Sequence, residues 1–138
     1  MTLVDFEEIK DILVLEFDEF WKPSILESEL KSENSKYIVA KENNVIVGFA
    51  GLWFSPVDAE ITNIVTKKSE RKRGIASLLL DRLIRMAKEE NRDNISLEVN
   101  ENNIAAVCLY EKAGFEVVGI RKKYYNGKDN AIIMTKYL

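Results

Sequence analysis

Ile61-Thr62-Asn63-Ile64-Val65-Thr66, followed after four intervening residues by Arg71-Lys72-Arg73-Gly74-Ile75-Ala76-Ser77, decides the reading of this chain. The first run is rich in β-branched residues and predicts a strand over Glu60–Thr66. Beyond the second run, apolar residues at Ile75, Leu78, Leu79, Leu83, Ile84 and Ala87 recur at helical spacing and predict a long amphipathic helix. The residues between form a basic turn that delivers Gly74 to a helix N-terminus. Free N–H groups of a first helical turn, the positive end of the helix dipole and nearby guanidinium groups all favour an anion. The expected ligand therefore carries phosphate. The spacing is neither the G-x-G-x-x-G of a dinucleotide fold nor the G-K-[ST] ending of a P-loop. A solvated charged loop, in which Gly74 merely permits a turn, is the plain alternative.

The 138 residues fit one domain, 1–138, with a single sizeable core. A hydrophobic fraction of 46% with 31% charged residues fits a soluble globular protein, and no apolar run approaches the roughly 20 residues of a membrane span. The first residues, Met1-Thr2-Leu3-Val4-Asp5-Phe6-Glu7-Glu8, have neither the basic nor the apolar region of a secretion signal. The single Cys108 can form no internal disulfide, and these features together predict a cytoplasmic protein. No histidine is present, which excludes histidine catalysis and His-ligated metal, and no metal site is expected. The net charge of −3 hides an asymmetry: residues 1–60 carry 5 Lys and Arg against 13 Asp and Glu, residues 61–138 carry 15 against 10. A basic back suits an anionic cofactor and an acidic front suits a cationic acceptor, whereas no long basic stripe invites nucleic acid.

Outward from the central stretch, Asp5 is the expected N-cap of a helix running to about Glu19, with Glu8 three residues after it. Pro23 opens a second helix through about Lys31. Tyr37–Lys41 and Val45–Phe54 read as strands joined by Glu42-Asn43-Asn44, since asparagine tolerates the left-handed conformation of a tight hairpin. After the long helix come a strand Ile95–Val99, a short helix from about Asn103 to Ala113 closed by Gly114, and strands Phe115–Lys122 and Ala131–Tyr137 linked through Asn126-Gly127. The predicted class is α+β: a mixed, mostly antiparallel sheet of about six to seven strands flanked by about four helices.

The carboxyl half adds Ser96-Leu97-Glu98-Val99, Asn102-Asn103-Ile104-Ala105-Ala106 and Leu109-Tyr110-Glu111-Lys112-Ala113-Gly114-Phe115. With the basic loop, read as R-x-x-G-x-[GA], these segments resemble the GNAT superfamily of N-acetyltransferases over about residues 60–135. Asn63-Ile64-Val65, Leu97-Glu98-Val99, Asn103 with Ala105-Ala106, Tyr110 and the late Arg121-x-x-Tyr124-Tyr125 followed by Ala131-Ile132-Ile133-Met134 resemble the ribosomal-protein-alanine type within it. Two departures stand out. Asn100 occupies a position where that type usually has Arg, and the usual amino-terminal strand is nearly absent.

The resemblance implies acetyl-CoA as cosubstrate, no metal, and a set of roles. Ile64, Val65 and Thr66 would pair by backbone with the pantetheine arm, although both apolar residues could equally be core. Residues 72–77, Lys72, Arg73, Gly74, Ile75, Ala76 and Ser77, would form the pyrophosphate loop, and Arg71 would be a loop cation or a solvated surface charge. Asn103 would bind coenzyme A, or act simply as a helix N-cap. Transfer to an amine needs a proton acceptor and an oxyanion donor. Glu98 is the implied base, with Glu60 in reserve, and an ordinary solvent-facing carboxylate is the bland reading of Glu98. An N–H near Val65, where two strands splay, is the expected oxyanion donor. Tyr110 is the implied acid for the departing thiolate, against a packed aromatic. Seven residues from Asn103, it is expected on the same helix face. Cys108 is expected to be buried packing. Tyr124 and Tyr125 are candidates for the acceptor groove.

The favoured function is transfer of acetyl to a protein N-terminal α-amine, with a small-subunit ribosomal protein as the implied partner. The alternatives are a lysine or small-molecule amine acceptor, and a non-catalytic acyl-CoA sensor. No nucleic-acid or membrane partner is expected, and the chain reads as a monomer or homodimer.

Overall fold

A computed structural model describes residues 1–17, 23–125 and 127–138, with the side chains of Val14, Leu15, Lys123, Tyr124 and Tyr125 also outside the description. Helix α1 (Leu3–Ile9) is followed by one π-helical turn, Leu13–Phe17, and by α2 (Pro23–Lys31). The hairpin β1 (Ser35–Glu42) and β2 (Val45–Phe54) turns through Asn43 and Asn44, both at positive φ as that turn requires. Then come β3 (Asp58–Thr66), α3 (Ile75–Glu89), β4 (Asn94–Asn100), α4 (Ile104–Lys112), β5 (Glu116–Tyr125) and β6 (Asp129–Tyr137). The predicted Asn126-Gly127 link includes a residue outside the description, and Gly127 itself has φ +67°.

The start of the chain departs from expectation. Thr2, not Asp5, is the N-cap: Thr2 Oγ1 accepts the Asp5 N–H at 3.2 Å and the Asp5 carboxylate accepts the Thr2 N–H at 2.9 Å. The α-helical turns end at Ile9, well short of the expected helix end, and Glu19 lies outside the described residues.

The six strands run in the order β1-β2-β3-β4-β6-β5, and every neighbouring pair is antiparallel except β3 with β4. Both faces of the sheet are covered. Phe49 and Ala50, adjacent on β2 and so on opposite faces, belong to different clusters. On one face, Leu79, Leu80, Leu83 and Ala87 of α3 and Tyr110 of α4 pack on Ala50, Leu52, Ile95, Leu97 and Met134. On the other, Phe6 and Ile9 of α1, Leu13 and Phe17 of the π turn and Leu26 of α2 cover Tyr37, Phe49 and Val65. Gly48 sets how closely α3 approaches: a Cβ there would stand 3.0 Å from Val65 O and 3.1 Å from Ile75 Cγ2.

One irregularity shapes everything that follows. Leu52 pairs with Ile61 and Gly51 with Asn63, so Thr62 is an extra residue in β3, a bulge. It explains why Ile61 joins the first cluster and Val65 the second, although residues four apart on a regular strand share a face. A bulge also adds twist, and here β3 leaves β4. The parallel pairing consists of Asp58, Ala59 and Glu60 with Asn94, Ile95 and Ser96, while β4 continues with β6 through Asn100.

Candidate active site

The basic loop arrives at α3 as the sequence requires. Gly74 is the N-cap with φ +80° and offers no side-chain cap, and the helical ladder begins with Leu78 N–H donating to Gly74 O at 3.1 Å. The amides of Ile75, Ala76 and Ser77 precede that first bond and remain available to an anion. Nothing lies within 4 Å of where a Gly74 Cβ would stand, so the approach is open. The three cations do not act alike. Arg73 is neutralised by Glu42 at 2.7 Å and by Glu70, and Arg71 donates to Phe17 O at 3.3 Å, tying the loop to the π turn. Lys72 is exposed and forms no ion pair among the described residues.

The parted strands supply a second element. Lys67 N–H donates to Val47 O at 2.8 Å, so by strand alternation the Val65 peptide groups also face β2. Those of Ile64 and Thr66 face the side that β4 has vacated. The backbone donors at the opening thus belong to the residues flanking Val65, rather than to Val65 itself.

Glu98 lies on β4 between the buried Leu97 and Val99 and points away from α3. Its carboxylate accepts a charge-assisted contact from Arg121 of β5 at 2.9 Å, reaching over the intervening β6. Glu60 stands at the last rung before β3 and β4 part. Partial burial raises its carboxyl pKa, repulsion from Glu98 adds to this, and Arg121 partly offsets it. Two carboxylates and one guanidinium therefore meet beside the opening. The sequence analysis names Arg121 only among the residues that carry the resemblance and gives it no function, because nothing in its local spacing points to β4.

At the start of α4, Asn103 is the N-cap, its Oδ1 accepting the Ala106 N–H at 3.2 Å, which leaves its amide hydrogens for other partners. Tyr110 is buried in the first cluster with its ring 5.8 Å from that of Phe115, while Asn103 is exposed; the packed-aromatic reading of Tyr110 describes its ring. Cys108 corrects an expectation: it is exposed. It sits about 200° around α4 from the inward-facing Tyr110. Asn100 is occupied structurally, donating to Asp129 at 3.1 Å and accepting the Asn102 N–H at 2.9 Å. The side chains of Tyr124 and Tyr125 lie outside the description.

An uncapped helix N-terminus behind an open glycine turn, beside a sheet split at a bulge, is the architecture of an acyl-CoA-dependent acetyltransferase. Residues 6–115 match the Acetyltransferase (GNAT) family, and the chain belongs to it. It is an acetyl-CoA-dependent N-acetyltransferase with the expected mixed α+β fold. The [ribosomal protein bS18]-alanine N-acetyltransferase of Haemophilus influenzae is 39% identical over 113 residues, 78% of this chain and 77% of that protein. The crystal structure of the ribosomal-protein-S18-alanine N-acetyltransferase from Escherichia coli superposes with a TM-score of 0.90 at 26% identity, covering 99% of this chain and 90% of that one. A GNAT family acetyltransferase from Elizabethkingia anophelis with acetyl-CoA bound has a TM-score of 0.77 at 26% identity, covering 93% and 89%. Among the described residues, no helix is long and apolar enough to cross a membrane.

Proposed function

We propose that the enzyme acetylates the N-terminal α-amine of a protein, with ribosomal protein bS18 as the acceptor and Glu98 as the base. The carrying observation is the Glu98 carboxylate, held by Arg121 and neighboured by Glu60 at the point where β3 and β4 part. The names of the Haemophilus and Escherichia relatives support the acceptor, and such an acceptor places the enzyme in the cytoplasm.

The arriving acceptor is mostly ammonium at neutral pH, and two carboxylates beside the opening attract it. An α-amine, with a reference pKa of about 7.7–8.0 against about 10.4 for lysine, supplies far more neutral nucleophile at pH 7. As the amine nitrogen bonds to the thioester carbonyl carbon, Glu98 accepts the proton the nitrogen loses. One of the two amides, Ile64 or Thr66, faces the carbonyl oxygen as its charge develops, and the other pairs with the pantetheine arm. The carbon–sulfur bond then breaks, and Tyr110 gives its hydroxyl proton to the departing thiolate. Ile75, Ala76 and Ser77 hold the pyrophosphate by backbone, Gly74 leaves it room, and Arg71 and Lys72 keep the loop basic while Arg73 stays paired with Glu42 and Glu70. Asn103 adds an amide donor.

A peptide with an N-terminal alanine and an internal lysine tests this reading. Mass spectrometry is expected to find acetyl on the α-amine, and acetylation of the lysine alone would overturn it. With that peptide, Glu98→Gln lowers the rate by about 10² to 10⁴ with acetyl-CoA KM unchanged, and Tyr110→Phe also slows turnover. A Glu98→Gln rate equal to wild type between about pH 6 and 9 would move the base to Glu60.

A further inference from the structure

We propose that Arg121 is a positioning residue for the transfer: it gives the Glu98 carboxylate a counterion against Glu60, so that Glu98 meets the incoming amine ionised and free to take its proton. This rests on the reading of Glu98 as base above. Two carboxylates left alone on one face repel each other, and such a pair relieves the repulsion by retaining a proton. A proton retained there fills the acceptor that the reaction needs. A guanidinium stays charged at every working pH, so it offsets the repulsion without titrating itself.

Strand register brings the three side chains together. Glu60 pairs with Ser96, and Glu98 follows Ser96 by two residues, so all three face the same side of the sheet. Arg121 stands on the edge strand β5 opposite Ala131 of β6, two residues from Ile133, the partner of Glu98. The short, buried Ala131 side chain lets the guanidinium cross β6 diagonally and reach the Glu98 carboxylate at 2.9 Å.

The other polar groups on this side are engaged elsewhere or exposed. Both carboxylate oxygens of Asp129 on β6 accept hydrogen bonds, from Asn100 at 3.1 Å and from Asn102 at 2.9 Å. The Ser96 and Thr135 hydroxyls bond each other at 2.8 Å. The Tyr37 hydroxyl is bonded to Thr62 Oγ1 at 3.0 Å, and burial pushes its pKa up to about 12, so it stays neutral. From the covering helical segments, Asp5 is paired with Lys41 at 3.1 Å, Glu16 with Lys67 at 3.5 Å, and Glu29 accepts from Ser35 at 2.9 Å. Asp58, Glu116 and Tyr137 are exposed to water. Arg121 is thus the described cation set against the two glutamates, and it offsets the rise that burial and then Glu98 impose on the Glu60 pKa. Two carboxylates against one guanidinium still leave the cluster negative, so it continues to draw an ammonium.

The test is a cycle of variants assayed with the alanine-initiated peptide over a range of pH. Glu98→Gln comes first: activity equal to wild type there removes the base reading itself. Given a loss in that variant, Arg121→Gln is expected to move the acid limb of peptide kcat/KM upward by about one pH unit, a loss of about tenfold below both limbs. Acetyl-CoA KM should not change, and the thermal midpoint should change little, because Arg121 is exposed on an edge strand. Arg121→Lys retains the charge and should retain most of the wild-type profile. Adding Glu60→Gln to Arg121→Gln removes the repelling partner and should return the limb to its wild-type position, which a loss of packing alone would not do. With isotope-labelled glutamate, the Glu98 carboxyl carbon resonance should move its titration in step with the kinetic limb. An unmoved limb in folded Arg121→Gln, an equal displacement in Arg121→Lys, no return on adding Glu60→Gln, or a Glu98 resonance that does not follow would each overturn the assignment.

Discussion

Glu60 and Glu98 are the same residue type on neighbouring strands, yet their surroundings differ. Glu98 has a guanidinium against it at 2.9 Å, whereas Glu60 has its pKa raised by burial and then by Glu98. A carboxyl with a raised pKa binds its proton more tightly in the folded state than in the unfolded one. Stability therefore falls as pH rises through the window above the ordinary glutamate value. Glu60→Gln should raise the thermal midpoint at neutral pH and leave it unchanged near about pH 3, where the carboxyl is protonated in the folded and unfolded states alike; equal shifts at both pH values would contradict this. The outward placement of Glu98 on β4 is legible in its alternation with Leu97 and Val99, while its role as base is implied by the resemblance alone. The contact of Arg121 with Glu98 was not legible, because it is made across β6. Cys108 was misread because α4 is apolar nearly all round, so periodicity marks no inner face.

Among the elements, α2 and β2 have the expected bounds, fixed by Pro23 and by the turns on either side of β2. The first helix was harder. Thr2-x-x-Asp5 and Asp5-x-x-Glu8 both have the spacing of a capping box, and only the packing of Phe6 and Ile9 selects the earlier one. Ile9, Leu13 and Phe17 step by four, a spacing that drifts about 40° per step around an α-helix, and the π turn keeps all three inward. The loop into α3 was read from its glycine, and there the structure sharpens the expectation. Gly74 has a left-handed backbone conformation and open space ahead. Gly74→Ala should therefore cost about 1–2 kcal/mol of stability. It should also raise the acetyl-CoA Kd by about tenfold, the equivalent of one hydrogen bond to a charged group. Calorimetric titration of the folded variant giving the wild-type Kd would remove the loop from the binding site.

Across the whole molecule, alternating strands and amphipathic helices made the α+β class legible, since each strand or helix carries its own period. The strand order and the parting of β3 from β4 were not, because they depend on which edges meet after Thr62 is accommodated. That parting makes the protein two three-stranded half-sheets, β1-β2-β3 and β4-β6-β5, joined by only three rungs. Such a joint has few amides to protect, so hydrogen exchange in the free enzyme should be fast at Ile64 and Thr66, whose N–H groups face the gap. Pantetheine is itself peptide-like and can pair along a strand edge, so it would act as a transient strand bridging the halves. Saturation at about 100 times Kd would add about 2.7 kcal/mol to the folded state, and exchange at those two amides should slow most. Unslowed exchange in the saturated enzyme would mean that the halves stay unbridged; slowing would mean that the substrate completes a sheet the polypeptide leaves open.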